Sequence, residues 1–406
     1  MERKNVPRFY SATDKEIKKG KTVDIYYLRT KDVIETKGLG SVRVVCEVST
    51  GGIPHGWNWG VLCGIEEEAH LFEGYPLNVY AMPEGSVFFA RDYRGIREPV
   101  MVVEGLYVDI APIETALIGL VCQASGISTA AARIRKAVGN KTLISFGIRR
   151  MHPAIAPMID RAAYIGGFDG VSGVLGAELI GITPTGTMPH PLILIYGDQV
   201  KAWKAFDEVA PPDVPRVALV DTLFDEKMES LMAADTLKDR LWAVRLDTPG
   251  SRRGDFADIV REVRWELDLR GYKHVKIMVS GGLNEKTIQE LASAGVDAFG
   301  VGTWVSNAET VDFGMDVVEV EGKPITKRGK MSGRKQVWRC PTCFVDVVFP
   351  EKEQPPTCPK CAGEMKPMLK PLVKNGKIVA DLPEAANIRQ YVLKQLENLP
   401  PDAKSE

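Results

Sequence analysis

From about Lys141 onward the chain repeats one pattern: a short apolar run, a polar or glycine-rich break, then a segment with apolar residues every three or four positions. The runs Thr142–Gly147, Gly170–Ser172, Val217–Asp221, Trp242–Leu246, Val275–Ser280 and Ala298–Val301 predict strands. The segments Ala154–Ile165, Asp198–Glu208, Phe224–Ala234, Phe256–Leu269 and Glu285–Ala294 predict helices. Strands and helices that alternate at these lengths predict a parallel sheet. Polar residues follow nearly every strand, which favours a β/α barrel, since an open sheet gathers its site at one switch point.

The region before this reads differently. From about Val42 to Glu104 apolar and polar residues alternate, cut by Gly and Pro, and Val44–Val48 and Ser86–Phe89 predict strands. Ile113–Leu120 opens a long helical stretch, and Asp14–Ile17 begins a short amphipathic helix. The expectation is an α+β domain with an antiparallel sheet over residues 1–120, a barrel over 121–321 and a small third domain with a C-terminal helix over 322–406. The segment Ser11–Lys37 is expected to pack elsewhere, on the barrel or on a partner subunit.

Composition narrows the class. The chain has 406 residues, 45% hydrophobic, with mean hydropathy -0.09, the balance of a soluble globular protein. A formal net charge of -1 gives no overall basic field to favour nucleic acid or anionic lipid. No apolar stretch follows the basic residues of Met1–Pro7, which predicts no signal peptide. No run of about 18 apolar residues is evident, which predicts no membrane span. Seven cysteines, four of them in two tight pairs, suit a reducing compartment and one metal site, so the cytoplasm is expected.

Those pairs, Cys340-Pro341-Thr342-Cys343 and Cys358-Pro359-Lys360-Cys361, are the strongest local signal. Each can bring two thiolates to one ion, and together they complete a tetrahedral Cys₄ zinc site. Four thiolates leave zinc no open position, so the site is structural, a small zinc ribbon. Redox pairs are the weaker alternative. The preceding stretch is basic, with Lys323, Lys327, Arg328, Lys330, Arg334, Lys335 and Arg339.

The strand ends carry the rest of the chemistry. Gly281 and Gly282, with Asn284 as a helix N-cap, offer backbone N–H groups to a phosphate, and Gly300–Thr303 offers the same after the next strand. Gly-Gly turns are common for backbone reasons alone; the neighbouring pair late in a barrel is what favours phosphate. His190, in a loop bracketed by prolines, is placed for proton transfer or for accepting a phosphoryl group, with Asp221 able to orient the ring. A lone histidine is more often merely structural. Arg149 and Arg150 suit a carboxylate or phosphate, although paired arginines are also ordinary surface charges. Phe146 alone reads as core, and Asp247 suits ribose hydroxyls or a hydrated Mg²⁺.

Taken in order, these fragments resemble the nicotinate phosphoribosyltransferase family, in its shorter archaeal form with a C-terminal zinc ribbon. The match rests on Asp24-Ile25-Tyr26, Pro83-Glu84-Gly85, Glu98-Pro99, Glu104-Gly105, Phe146-Gly147-Ile148-Arg149-Arg150, Gly167-Phe168-Asp169, Gly186-Thr187-Met188-Pro189-His190, Arg245-Leu246-Asp247 and Gly300-Val301-Gly302-Thr303. The resemblance implies an α/β fold with a phosphoribosyltransferase β/α barrel. It implies transfer from phosphoribosyl pyrophosphate to nicotinate, coupled to ATP hydrolysis with Mg²⁺, in a homodimer or higher homo-oligomer with shared sites. It further implies that Phe146 and Tyr26, the latter from a partner subunit, sandwich the pyridine ring, and that Thr187 and Arg245 contact nicotinate. Arg149 would help to hold the substrate anions. His190 would be the phosphorylated histidine and Asp221 its partner, while Gly282, Gly302 and Thr303 would bind the ribose 5-phosphate.

Two features depart from the pattern. Many relatives continue the Arg-x-Asp segment as Ser-Gly-Asp, whereas Thr248–Asp255 here is longer and adds Arg252 and Arg253. Pro189 precedes His190 where many relatives carry a small residue. Nicotinamide and quinolinate phosphoribosyltransferases remain as alternatives. From another class, the ribbon and the basic stretch would suit a nucleic-acid-binding protein on a degenerate barrel.

Overall fold

The computed structural model describes residues 9–399, so the Met1–Pro7 segment discussed above lies outside the described residues. The chain forms two compact units, one ending at Thr129 and resuming at Glu309, the other running Ala130–Ala308.

In the first unit a short helix, Asp14–Lys18, starts where the Thr13 hydroxyl accepts from the Glu16 N–H and the Glu16 carboxylate accepts from the Thr13 N–H at 3.1 Å. Helix α1 (Ile25–Thr36), strand β1 (Arg43–Thr50), helix α2 (Ile65–Phe72) and strands β2 (Asn78–Ala81) and β3 (Pro99–Leu106) follow. Val44, Cys46 and Val48 alternate into the core from β1, where they meet Leu117 and Val121 of helix α3 (Glu114–Val138). Burying each such side chain is worth about 1.5–3 kcal/mol. Among the described residues the helical stretch Tyr107–Val138 is long and apolar enough to cross a membrane by length and composition. Its apolar positions are interrupted by Ser125, Ser128 and Thr129, which hide the run from a simple count, and 56% of its most apolar 18-residue window is buried inside the protein. It is a core helix.

The second unit is built on six parallel strands: β4 (Thr142–Ser145), β5 (Gly170–Val171), β6 (Arg216–Leu219), β7 (Leu241–Leu246), β8 (Lys276–Ser280) and β9 (Ala298–Val301). They lie in the order β5-β4-β9-β8-β7-β6. The connecting helices are α4 (Ala156–Ile165), α5 (Val174–Ile180), α6 (His190–Tyr196), α7 (Gln199–Val209), α8 (Glu226–Leu237), α9 (Phe256–Leu269), α10 (Glu285–Ser293) and the single turn α11 (Thr303–Ser306). The barrel is open: among the described residues no pairing joins β5 to β6. Ile144, Val217, Ala243, Met278 and Ala298, one each from β4, β6, β7, β8 and β9, form its interior layer. Side chains alternate along a strand, so the same face two positions on carries Phe146, Leu219, Arg245, Ser280 and Gly300. Four positions on from Val217, Ala243 and Ala298 it carries Asp221, Asp247 and Gly302. One parity rule thus stacks an apolar floor below a polar mouth.

Past the barrel come β10 (Phe313–Val320), β11 (Lys335–Arg339), β12 (Asp346–Pro350), β13 (Lys370–Lys374) and helix α12 (Ala385–Asn398). β10 and β13 join the first unit's antiparallel sheet, whose order is Lys323–Pro324, β10, β1, β3, β2, β13, Lys377–Ile378. The region from Gly322 is therefore no free-standing body; pairing between the two ends of a chain leaves no trace in local spacing. β12, β11 and Lys366–Pro367 form a separate three-stranded sheet that carries the cysteine pairs. The basic stretch is largely neutralised. Lys327 and Lys330 pair with Asp316, Lys335 with Glu47, Arg334 with Glu104 and Glu351, and Arg339 with Asp346. That removes the exposed positive face on which a nucleic-acid-binding reading depends.

Gly126 in α3 gives a test of this packing. A Cβ there would lie 2.2 Å from the Glu309 carbonyl oxygen. Helix propensity alone makes Gly126→Ala stabilising by about 1 kcal/mol, whereas overpacking costs about 1–3 kcal/mol. Because the obstacle is backbone and cannot rotate away, the clash should win, and urea unfolding of the variant should show a lowered midpoint. A raised midpoint would mean that α3 and the Glu309 segment do not pack as described.

Candidate active site

The polar mouth opens into a cavity of about 480 Å³ lined by residues that follow β4, β7, β8 and β9 and by the segment Gly186–Pro189. This is an ordinary size for a site that takes a small organic ligand. Phe146 is half-buried at its floor, its N–H donating to the Val301 carbonyl at 2.8 Å. Gly300 leaves room for the ring, since a Cβ there would sit 2.4 Å from two of its carbons. The Arg245 guanidinium lies 6.0 Å from the ring centroid and donates to the Thr187 hydroxyl. Burial pushes the Arg245 pKa down, while Asp247 and Asp221 pull it back up. A flat face, a half-sheltered cation and a hydroxyl therefore stand together. Such a set suits a planar aromatic anion.

Beside them is a cluster of two carboxylates and one imidazole. His190 Nδ1 is 3.0 Å from the Thr222 hydroxyl, and its Nε2 lies 3.6 Å from Asp247 and 3.9 Å from Asp221. Asp221 Oδ2 accepts from the Asp247 N–H at 3.1 Å and from the Thr248 hydroxyl at 3.4 Å, while its Oδ1 is buried with no hydrogen-bond partner. Burial pushes the Asp221 pKa up from 3.8 to about 6; His190 lowers it and Asp247 raises it. Asp247 is the more open of the two and accepts from the Ser280 hydroxyl at 2.6 Å.

On the cavity's other side the turn after β8 holds Gly281 at φ 88° and Gly282 at φ 66°, a left-handed conformation that a side chain would strain. Asn284 then caps α10, its side chain accepting from the N–H groups of Lys286 and Thr287. Gly302 caps α11, and Thr303 follows it. Arg149 and Arg150 are exposed at the rim, on a single helical turn, Ile148–Arg150.

Most of the expected site residues thus line or adjoin one cavity: Phe146, Arg149, Thr187, Arg245, Asp247, Gly281, Gly282, Gly302 and Thr303 line it, and His190 and Asp221 adjoin Asp247. Tyr26 does not line it; it stands on α1 in the first unit, 55% exposed, with its ring against Tyr27. His190 lies not in a loop but at the first position of α6, because Pro189 and Pro191 suit a helix's first turn, where their missing N–H groups have no intrahelical acceptor to serve. Thr222, not Asp221, makes the close contact to the imidazole. Reasoning from the sequence also misses Glu229, whose buried carboxylate accepts from the N–H groups of Thr222, Leu223 and Phe224 at 3.1, 2.7 and 2.8 Å and so fixes the loop that supports His190. Its one signal is its place in the first turn of the next helix.

In the ribbon the four sulfurs of Cys340, Cys343, Cys358 and Cys361 lie within 4.8 Å of one another, with Cys340 and Cys361 at 3.7 Å. The Cys343 N–H donates to the Cys340 sulfur and the Lys360 N–H to the Cys358 sulfur. Zinc–sulfur bonds of about 2.3 Å set tetrahedral sulfurs about 3.8 Å apart, so this cluster can hold a metal ion.

Comparison with known proteins fixes the family. A nicotinate phosphoribosyltransferase of Mycobacterium tuberculosis, pncB2, is 30% identical over 347 residues, covering 81% of this chain and 70% of the relative. The chain belongs to the nicotinate phosphoribosyltransferase family. The family model of the nicotinate phosphoribosyltransferase C-terminal domain matches residues 350–405. The models of the quinolinate phosphoribosyl transferase N-terminal and C-terminal domains match residues 24–125 and 127–316. A crystal structure of nicotinate-nucleotide pyrophosphorylase from Pyrococcus furiosus is 56% identical, with a TM-score of 0.93 over 97% of this chain and 99% of that one. Human nicotinic acid phosphoribosyltransferase, 20% identical with a TM-score of 0.75 over 94% of each chain, shares the fold. This phosphoribosyltransferase is therefore an enzyme.

The raised pKa of Asp221 has a measurable sign. Between 3.8 and about 6 the folded state binds more protons at this site than the unfolded chain, so this carboxyl's contribution to stability falls as pH rises through that window. Asp221→Asn abolishes the titration. Urea midpoints followed from about pH 4 to about pH 7 should shift in the variant's favour relative to the parent as pH rises. A constant difference would show that Asp221 titrates alike in both states.

Proposed function

We propose that this enzyme transfers the 5-phosphoribosyl group of phosphoribosyl pyrophosphate to the ring nitrogen of nicotinate, yielding nicotinate mononucleotide and pyrophosphate for NAD biosynthesis. The observation that carries the reading is the set Phe146, Arg245 and Thr187 standing in one cavity with the two glycine turns after β8 and β9. The pyridine ring would lie on Phe146 with its carboxylate toward Arg245 and Thr187. The Gly281–Gly282 and Gly302–Thr303 turns would take the 5-phosphate, and Tyr26 of a partner subunit in a homo-oligomer would cover the ring's other face. The names of the relatives support this substrate.

The chemistry asks little of an acid or base. The bond from ribose C1 to pyrophosphate breaks with its electron pair leaving on oxygen, and the pyridine lone pair closes on C1. Positioning the nitrogen and opposing the charge that grows on the leaving group are the main demands. Arg149 and Arg150 supply fixed positive charge at the rim. Asp247, with the orphaned oxygen of Asp221 behind it, fits a hydrated Mg²⁺, which would supply further positive charge near the pyrophosphate.

ATP hydrolysis enters through His190. With Nδ1 held by Thr222, Nε2 is the nitrogen left to take the terminal phosphoryl group, releasing ADP; water later returns it as phosphate. The ribbon's four cysteines fit a structural zinc ion, and a reducing cytoplasm suits the remaining thiols, Cys46, Cys63 and Cys122.

A second reading has its own support. Arg149, Arg150 and Arg245 give the cavity three cations, enough for the two carboxylates of quinolinate, and the quinolinate models match both halves of the chain. That reaction must release carbon dioxide. Parallel assays with phosphoribosyl pyrophosphate and nicotinate, nicotinamide or quinolinate, with and without ATP, separate the readings. Nicotinate should be the substrate turned over and ATP should stimulate it. His190→Ala should remove the stimulation and retain ATP-independent turnover. Turnover of quinolinate with carbon dioxide release would replace the reading, and undiminished stimulation in the variant would remove His190 from the coupling.

A further inference from the structure

Away from the barrel, the first unit holds a second charged cavity, of about 140 Å³, that the phosphoribosyl chemistry does not use. Its charged walls are Arg91, Arg97, Lys330 and Lys335 against Glu47 and Asp316, which leaves two cations in excess. Both carboxylates are buried and already engaged. Glu47 accepts from Lys335 Nζ at 2.8 Å, and Asp316 from Lys327 and Lys330 at 2.6 and 2.5 Å. The excess therefore resides in Arg91 and Arg97.

These two arginines face each other across an isolated antiparallel bridge. Arg91 donates to the Gly95 carbonyl at 2.9 Å, and neither arginine has a carboxylate within ion-pair distance among the described residues. The neighbouring acids are spent elsewhere: Asp92 accepts from Arg94 and from the Val348 N–H, and Glu98 accepts from the Phe89 N–H. The fold thus brings two planar guanidinium forks to the edge of a pocket whose own carboxylates are neutralised. Paired forks suit a doubly charged tetrahedral oxyanion, because each can present two parallel donors. The volume admits such an ion and excludes a nucleoside.

We propose that this cavity is a binding site for a phosphate-type dianion, which clamps the Arg91–Arg97 turn to the Lys327–Lys335 segment over the β1–β10 face of the sheet. The ion has two possible sources, free phosphate or pyrophosphate and the terminal phosphoryl group of a nucleotide whose base stays outside. The inference rests on none of the active-site roles proposed above.

Titration calorimetry of the full-length, metal-loaded protein with inorganic phosphate, pyrophosphate and ATP, at matched ionic strength, tests it. An Arg149→Gln/Arg150→Gln background, which removes the rim charge placed at the pyrophosphate, identifies by comparison with the parent the isotherm that belongs to the barrel. The double variant Arg91→Gln/Arg97→Gln should weaken the remaining isotherm by at least about tenfold, the loss expected for removing charge-assisted hydrogen bonds. Its turnover at saturating substrate should equal the parent's. Arg97→Lys, which keeps the charge and guards against misfolding of the double variant, should weaken phosphate binding by less. A tighter response to ATP than to inorganic phosphate identifies the nucleotide as the source, and the reverse identifies the free ion. An isotherm unchanged in both variants, or the absence of any isotherm beyond the barrel's, overturns the proposal.

Discussion

Asp221 ties together the part of this molecule on which its chemistry depends. Its Oδ2 accepts the backbone N–H of Asp247, so the carboxyl ends of β6 and β7 are joined by a side chain beyond the point where their ladder stops. Its other oxygen, buried and without a donor, faces the imidazole of His190. Leaving a buried carboxylate oxygen unpaired costs on the order of 1–3 kcal/mol, more if it is charged. That cost is consistent with a site completed by a ligand or cation, and it accounts for the raised pKa of the group. Around this anchor, Ser280 fixes Asp247, Thr222 fixes His190, and Glu229 fixes the loop of Thr222.

The same cavity balances apolar and polar demands through backbone parity. Phe146 needs a bare neighbour, and Gly300 supplies it. Arg245 is sheltered at the cavity wall, and that burial lowers its pKa.

Much of this was legible in the sequence because strands repeat every two residues. Once Val217, Ala243, Met278 and Ala298 are read as facing inward, the inward facing of Asp221, Asp247, Ser280 and Gly302 follows. The cysteine pairs were legible for a similar reason: a knuckle is local. What was not legible depended on distance or on ambiguous signals. The partners of β1 lie in β3 and β10, and no spacing along the chain announces the second of these. The prolines around His190 read equally as loop or as a helix's first turn, and only packing decides between them. The basic stretch read as a free positive face because two of its carboxylate partners, Glu47 and Glu104, come from strands remote in sequence.

The most direct test of the account is a crystal structure with nicotinate mononucleotide bound. The pyridine ring should lie against Phe146, its carboxylate should meet Arg245 and Thr187, and the 5-phosphate should rest on the backbone of Gly282 and Gly302. A nucleotide seated with its phosphate at Arg245, or outside this cavity, would contradict the placement of every residue argued here.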